Sequence, residues 1–321
     1  MKDFPYKNKS SEVYFFSYGR LALYAALKAM AIKPGENVLL PAYICNSVLS
    51  PFNALDIKVK YYLIDEKLNA NIASIKQQID DRTRAILVVN YFGFPQKLDE
   101  IKMICRERKL VCIEDNAHGF LSAESGQLLG TRGDIGILSF RKTISVPNGA
   151  ALLINDATKL AEKIKPFIYK KTIDDEIRFF LRAVKIMFGK LAVPSQKIYR
   201  EDPPEEENNF HKYMKQISFL TAKLYDKAEL GRLARQKRER YSQLLKNIDR
   251  ERAKPIFSDL PDGVVPMSLC VWVNGDREKY IRDTCVELGT RTYPWPSLPL
   301  DVQDKFADQM MLYKNLVCFP V

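Results

Sequence analysis

Histidine is almost absent from this chain: His118 and His211 are the only two in 321 residues, too few to build a multi-histidine zinc site. Its six cysteines (Cys45, Cys105, Cys112, Cys270, Cys285 and Cys318) are scattered, with no C-x-x-C pair, and several fall inside apolar runs. They read as reduced, mostly buried thiols of a reducing compartment and exclude a disulfide framework. Long apolar runs are missing too. Stretches 85–89 and 267–273 stop far short of the roughly 18 residues that a membrane helix needs. Residues 1–7 carry no apolar core of a secretory leader, so a soluble, cytoplasmic protein with no membrane partner is expected. No internal repeat, G-x-x-x-x-G-K-[ST] loop or G-x-G-x-x-G loop after a strand is present.

What is there is ordinary in bulk. The chain is 46% hydrophobic and 28% charged, close to the globular average. Its length suggests two domains and a core that needs no covalent staples. The charge is less ordinary: 50 basic against 39 acidic residues leave +11, an excess that suits nucleic acid or an anionic small ligand such as a phosphate ester. The basic stretch 231–240 (GRLARQKRER) is the one candidate nucleic-acid helix. Acids at Asp226, Glu229 and Glu239 dilute it and no nucleic-acid module surrounds it, so it reads as a solvated helix face with apolar residues turned inward.

Short apolar runs alternate with amphipathic stretches. Segments 36–41, 59–64, 85–89 and 110–113 read as strands of a sheet covered on both faces, with helical patterns over 20–31, 72–79 and 97–108 between them. This rhythm predicts a doubly wound α/β sheet over roughly the first 155 residues, with further apolar segments at 135–140 and 150–154. Helical patterns follow over 158–190 and 211–248, flanking a polar, proline-bearing loop at 200–209. A strand over 267–273 and a helix over 276–288 complete the pattern. The expected division is a large α/β domain, residues 1–230, and a small C-terminal α+β domain, residues 231–321.

The chemistry sits between residues 111 and 151. One apolar run ends in Glu114-Asp115-Asn116-Ala117-His118, and another ends in Ser139-Phe140-Arg141-Lys142. In an open α/β sheet, ligands bind beyond the carboxyl ends of the strands, so an acid and a lysine at two such ends can share a cavity. Pyridoxal phosphate (PLP) chemistry uses such a pair. Lysine forms a Schiff base with the cofactor aldehyde, and a carboxylate keeps the pyridine nitrogen protonated. A neighbouring cation such as Arg141 favours the neutral, nucleophilic amine. A strand-end aspartate and a solvated loop lysine are the plain alternative for these residues alone.

Ordered segments narrow the choice. Phe16-Ser17-Tyr18-Gly19-Arg20-Leu21-Ala22-Leu23 resembles an S-G-T-x-A-L turn into a helix, and Pro34-Gly35-Glu36-Asn37-Val38-Leu39-Leu40-Pro41 resembles P-G-D-E-V-I-x-P. Arg82-Thr83-Arg84-Ala85-Ile86 and Tyr91-Phe92-Gly93-Phe94-Pro95 are similar to R-T-K-A-I and Y-G-x-P. Ile113 to His118 resembles I-E-D-x-A-[QH], while Gly133-Asp134, Ser139-Phe140 and Lys142 with Gly149 resemble G-D…S-F…K-x6-G-G. In this order the segments resemble the DegT/StrS-type sugar aminotransferase family, a branch of the fold-type I PLP enzymes, over nearly the whole chain.

The resemblance implies a fold-type I PLP-transferase that moves an amino group from an amino-acid donor to a nucleotide-linked keto sugar. It implies Lys142 as the Schiff-base lysine, Asp115 as the pyridinium partner, and His118 near the ring and its phenolic oxygen. Ser139 and the turn of Tyr18, Gly19 and Arg20 would hold the phosphate, as the positive end of a helix favours an anion. Where the family places an aromatic on the cofactor ring this chain has Cys45, with Tyr43 nearby as a substitute or as ordinary packing. The loop between Phe140 and Lys142 is about two residues shorter than usual, and Val146-Pro147-Asn148-Gly149-Ala150 replaces T-G-E-G-G. These departures leave room for a PLP lyase or dehydratase, or for a non-catalytic relative. Arg291, Tyr293 and Trp295 read equally as sugar contacts or as loop packing. The family further implies a homodimer whose sites borrow residues across the interface, with His211, Lys212 and Tyr213 as the candidate donor segment.

Overall fold

The computed structural model describes residues 1, 3–7, 11–155, 164, 173–188, 216–293 and 295–321. The apolar runs become a mixed sheet of seven strands. In chain order these begin with β1 (Glu12–Phe16), β2 (Asn37–Pro41), β3 (Lys58–Tyr62), β4 (Thr83–Val89) and β5 (Val111–Asn116). After a short hairpin, β6 (Ala123–Glu124) and β7 (Gln127–Leu128), come β8 (Ile135–Leu138) and β9 (Ala150–Ile154). The order across the sheet is β1-β9-β8-β5-β4-β2-β3. β3, β2, β4, β5 and β8 pair in parallel, whereas β9 runs antiparallel to both β8 and β1. Every residue of β2, β8 and β9 is buried, as strands covered on both faces must be.

Helices α1 (Gly19–Met30), α2 (Ser50–Ala54), α3 (Ile72–Gln78) and α4 (Leu98–Arg108) connect these strands. α1 lies along β1, β8 and β9 and buries a continuous apolar set from Leu21 to Leu27. The helical stretch expected over 158–190 is described as α5 (Asp174–Phe188). Of the stretch expected over 211–248, the described part forms two helices, α6 (Phe219–Asp226) and α7 (Leu230–Lys246). The expected loop at 200–209 and the candidate segment of His211, Lys212 and Tyr213 lie outside the described residues.

The basic stretch 231–240 becomes α7, which turns Tyr241 and Leu244 inward. Two of its cations are tied into the fold rather than simply solvated. Lys237 donates to the Val321 carbonyl at 2.6 Å, and Arg238 donates to the carbonyls of Pro261 and Val264 at 2.8 and 2.6 Å.

A second sheet is antiparallel: β10 (Ala253–Pro255), β11 (Ser268–Val273) and β12 (Leu316–Pro320), with β11 central. Helices α8 (Arg277–Glu287), α9 (Leu300–Lys305) and α10 (Ala307–Asn315) accompany it. The sequence pattern anticipated β11 and α8 but not β10, β12 or the two short helices. The apolar core runs without a break from the large sheet into this one, through Phe92, Trp295, Leu269 and Cys318. Backbone contacts fasten the two, including Met267 N–H to the Phe92 carbonyl at 2.8 Å and Val265 N–H to Ser122 Oγ at 2.9 Å. All six cysteines are free thiols, and no helix among the described residues is long and apolar enough to cross a membrane.

A smaller aromatic cluster fixes the piece of chain that matters most for the site. Phe4, Tyr6, Phe120, Phe140 and Tyr225 pack together, and Phe140 is fully buried there. The strand expected over 135–140 therefore stops at Leu138, and residues Phe140–Lys142 coil into one 3₁₀ turn anchored by the Phe140 ring.

Candidate active site

The carboxyl ends of β1, β2, β4, β5 and β8 converge on one cleft, where an open α/β sheet is built to take a ligand. From the turn after β1 come Tyr18, Gly19 and Arg20; from the segment after β2, Tyr43, Cys45 and Ser47; from the end of β4, Val89 and Tyr91. From β5 and beyond come Asp115 and His118, and from the turn after β8 come Ser139, Arg141 and Lys142. Trp295 closes one wall from the C-terminal part of the chain. The eight residues expected to build the site (Tyr18, Gly19, Arg20, Cys45, Asp115, His118, Ser139 and Lys142) line a single pocket, as do Tyr43, Arg141 and Trp295, whereas Arg291 and Tyr293, read equally as sugar contacts or loop packing, are not part of its lining.

Alternation along β5 sorts its two acids, because neighbouring strand residues face opposite sides. Glu114 is fully buried and spent on structure, accepting from Asn90 Nδ2 at 2.9 Å and from the backbone N–H groups of Arg132 and Gly133 at 2.9 and 3.0 Å. Asp115 faces the pocket and accepts from Ala117 N–H at 3.0 Å. Burial raises its pKa, an effect opposed by that hydrogen bond and by the Lys142 ammonium.

Lys142 as a residue is open along the pocket, yet its amine sits among protein groups. Desolvation there lowers its pKa, helped by Arg141 and opposed by Cys45 and Asp115. The outcome is an amine whose nucleophilic form is easier to reach than that of a solvated lysine. His118 is kept neutral, its pKa pulled well down by burial and by Lys142. Its Nδ1 accepts from Phe92 N–H at 3.3 Å, so the ring proton belongs on Nε2. The imidazole is held between Phe92, stacked at 5.7 Å, and Trp295, edge-on at 5.4 Å.

The N-terminus of α1 enters the same pocket. Tyr18 occupies its cap position without any side-chain capping bond, and no acid lies in the first turn. The first N–H groups of a helix have no partner within it, so this end is suited to an anion. Ser139, nearly fully buried, sits at the adjoining carboxyl end of β8.

Cys45 lies on the pocket wall with its Sγ 3.2 Å from Ser47 Oγ. Tyr43 is fully buried between Tyr91 and Trp295 and receives the Tyr91 hydroxyl on its carbonyl at 2.5 Å. Trp295 is only 4% exposed and packs on His118, Tyr43 and Phe92, while still forming pocket wall.

Two participants escaped the sequence reading. Tyr18 Oη donates to Asp175 Oδ1 at 2.7 Å, and Asn148 Nδ2 donates to Asp175 Oδ2 at 2.8 Å. Asn148 Oδ1 in turn accepts from Ser218 N–H and Thr221 Oγ1, both at 3.0 Å. In the sequence, Asp175 is one of three acids opening a helix, and nothing marks it as a neighbour of a residue 157 positions earlier.

Gly149 closes the turn that presents Lys142. It has φ of +146°, its N–H binds the Ser17 carbonyl at 2.7 Å, and a Cβ there would lie 2.1 Å from the Phe140 ring. Gly149→Ala is therefore expected to cost about 2–4 kcal/mol through strain and overpacking, read as a lower urea midpoint with an unchanged slope. An unchanged midpoint would show that the Phe140 anchor is not rigid.

Residues 7–182 match the DegT/DnrJ/EryC1/StrS aminotransferase family. Among curated proteins, the chain is 33% identical over 152 residues to a GDP-perosamine synthase of Escherichia coli O157:H7, covering 44% of this chain and 40% of that protein. It is 31% identical over 146 residues to a GDP-4-keto-6-deoxy-D-mannose 3-dehydratase of Escherichia coli O55:H7, covering 44% and 38%. The match thus spans well under half the length of these relatives. In fold, the chain superposes on the aminotransferase TlmJ of Streptoalloteichus hindustanus with a TM-score of 0.69 at 21% identity, over 96% of this chain and 80% of that one. The ordered segments, the seven-stranded sheet and the match over more than half its length agree: this chain belongs to the DegT/DnrJ/EryC1/StrS aminotransferase family.

Proposed function

We propose that the protein is a pyridoxal phosphate-dependent aminotransferase acting on a nucleotide-linked keto sugar. The observation that carries this reading is the pairing of Lys142 and Asp115 in one pocket, close enough that each shifts the other's pKa. The donor set fits the cofactor: an amine for its aldehyde, a carboxylate for its ring nitrogen, and a helix end with Ser139 for its phosphate. When bound, the cofactor supplies a carbonyl that accepts an amino group and a ring that withdraws electrons.

Around that ring the chain's own groups divide the work. Lys142 Nζ would hold the aldehyde and, once displaced, take and return protons in the pocket. Desolvation lowers its pKa, which makes the neutral amine needed for that exchange easier to reach than in a solvated lysine. Asp115 is reluctant to ionise in the pocket as it stands, and a positive ring nitrogen opposite it would favour the carboxylate. His118 would present Nε2–H to the phenolic oxygen. A basic chain of +11 suits a diphosphate-bearing substrate and a cytoplasmic setting among phosphorylated metabolites.

The test is spectroscopic. The purified protein with pyridoxal phosphate should be yellow, bleach on addition of an amino-acid donor, and recover with a keto acid. A bound cofactor that no amino donor bleaches would sink amino transfer. The similarity to a 3-dehydratase keeps a second reading, loss of water from the same class of sugar. Mass spectrometry of the product separates them, since amination adds nitrogen and dehydration does not.

A homodimer belongs to this reading. Ile173 and, on α5, Ile177, Phe180 and Leu181 are each half or more exposed on one side of that helix. The same helix carries Asp175, which bonds the pocket residue Tyr18. A second copy covering this face would sit beside the pocket. Sedimentation is expected to give a dimer at micromolar concentration, and Phe180→Asp to shift it toward monomer with loss of activity. A fully active monomer would end the idea.

A further inference from the structure

The chain has two tryptophans, and the fold treats them differently. Trp272, on β11, donates its indole N–H to the Glu66 carbonyl at 2.7 Å. Trp295 Nε1 is buried and has no hydrogen-bond partner among the described residues. Indole nitrogen can only donate, so nothing else on the side chain makes up for the missing bond. A buried donor left unpaired is costly, and one that persists calls for a reason.

Its place in the fold supplies one. Trp295 lines the same pocket as Asp115, His118 and Lys142, and its ring meets His118 edge-on at 5.4 Å. The Tyr43 hydroxyl lacks a partner too, but that ring is fully buried, with Cys270 and Cys318 of the second sheet nearby. The backbone that carries Trp295 is held on both sides. Tyr293 N–H donates to the Cys318 carbonyl at 3.0 Å, Asn46 N–H donates to the Ser297 carbonyl at 3.2 Å, and Leu298 is buried. Pro296 follows directly, and a residue before proline is kept to extended backbone. The freedom that remains belongs to the side chain, which can turn and carry Nε1 with it while the loop stays in place.

We propose that Trp295 is a specificity-determining residue for the keto sugar: as the sugar enters, the indole turns and Nε1–H donates to one of its oxygens. The inference rests on the proposed function for the class of substrate. A neutral N–H on a flat apolar ring suits a neutral oxygen on a partly apolar skeleton, which is what a sugar offers. The carboxylate of an amino-acid donor prefers a cation, and Arg141 lines the same pocket. A site whose own donor stays unpaired until the right oxygen arrives rejects an analogue that lacks it.

The two halves of the reaction separate this role from packing. On the cofactor-loaded protein, bleaching by L-glutamate or L-glutamine reads the donor half. Return of the yellow colour reads the sugar half, with 4-keto-6-deoxyhexoses linked to GDP, UDP and dTDP as probes. Trp295→Phe keeps an aromatic wall and removes the N–H. It is expected to raise the KM of the best keto sugar about five- to thirtyfold, with kcat and the donor half within about twofold. Equal losses in both halves are what packing alone would give and would overturn the proposal, as would an unchanged KM.

A second measurement keeps Trp295 intact. In Trp272→Phe it is the sole tryptophan, and its fluorescence reports its own surroundings. Emission is expected to shift to the red when the keto sugar is added to the pyridoxal phosphate form, with which it cannot exchange an amino group. The matching nucleoside diphosphate alone should leave the emission unmoved. No shift with a keto sugar that the enzyme aminates would end the idea while leaving the proposed function in place. If amino and keto acids cycle the colour but no keto sugar restores it, the proposed substrate class fails and this inference falls with it.

Discussion

Lys142→Ala is expected to yield a folded protein that still takes up pyridoxal phosphate but no longer fixes it on borohydride reduction, with turnover lower by at least about a thousandfold. The fold should survive because Lys142 is open to the pocket, and its turn is held by the buried Phe140 ring rather than by the lysine. The function should not survive, because the described residues lining the pocket offer no second amine, and His118 is neutral and held by Phe92 and Trp295. Intact mass after reduction reads the covalent link directly. A cofactor adduct that persists in the alanine variant would place the attachment elsewhere and undo the assignment.

Asp115→Asn should separate binding from chemistry. The amide is nearly the same shape and its oxygen can still accept from Ala117 N–H, so cofactor affinity is expected to fall no more than about tenfold. It cannot hold a ring nitrogen protonated, so the amino-donor half-reaction should slow by about two to four orders of magnitude. Stopped-flow bleaching of the bound cofactor measures that step, and a near-normal rate would remove Asp115 from the role.

A stability signature accompanies this variant. Asp115 has a raised pKa in the folded, cofactor-free protein, so between the ordinary carboxylate value and that raised value the fold binds more protons than the unfolded chain. Stability from this group is therefore greatest below the ordinary value and declines as pH rises through the raised one. The asparagine variant should lack that decline, which denaturation of the cofactor-free proteins across mildly acidic pH can show.

Much of this protein could be read along the chain. Continuous apolar runs announced β2, β4, β5 and β9 because a parallel sheet buried on both faces tolerates little else, and the helical spacing of α1 and α4 follows from one buried stripe. Position at strand ends brought Asp115, Ser139 and Lys142 to notice, since local order along the chain already sets which residues leave a strand at its carboxyl end. β12 and β10 were not visible in this way. Their residues take strand form by pairing with β11 across long separations, such as Leu269 with Phe319, and no local period records a partner 50 residues away.

The site divides along the same line. Residue type and position at strand ends single out a lysine and an acid as candidates, and the ordered family segments turn them into an expected pair. They cannot say that Trp295 reaches His118, that Tyr43 is sealed between Tyr91 and Trp295, or that Asp175 holds Tyr18 beneath two arginines. Each of those contacts joins segments that only the packed sheet and its covering helices bring together. The candidate groups of the pocket were therefore set by the sequence at a few strand ends. Its charge and walls were decided by tertiary structure, because desolvation and electrostatic coupling depend on distance in space and not on distance along the chain.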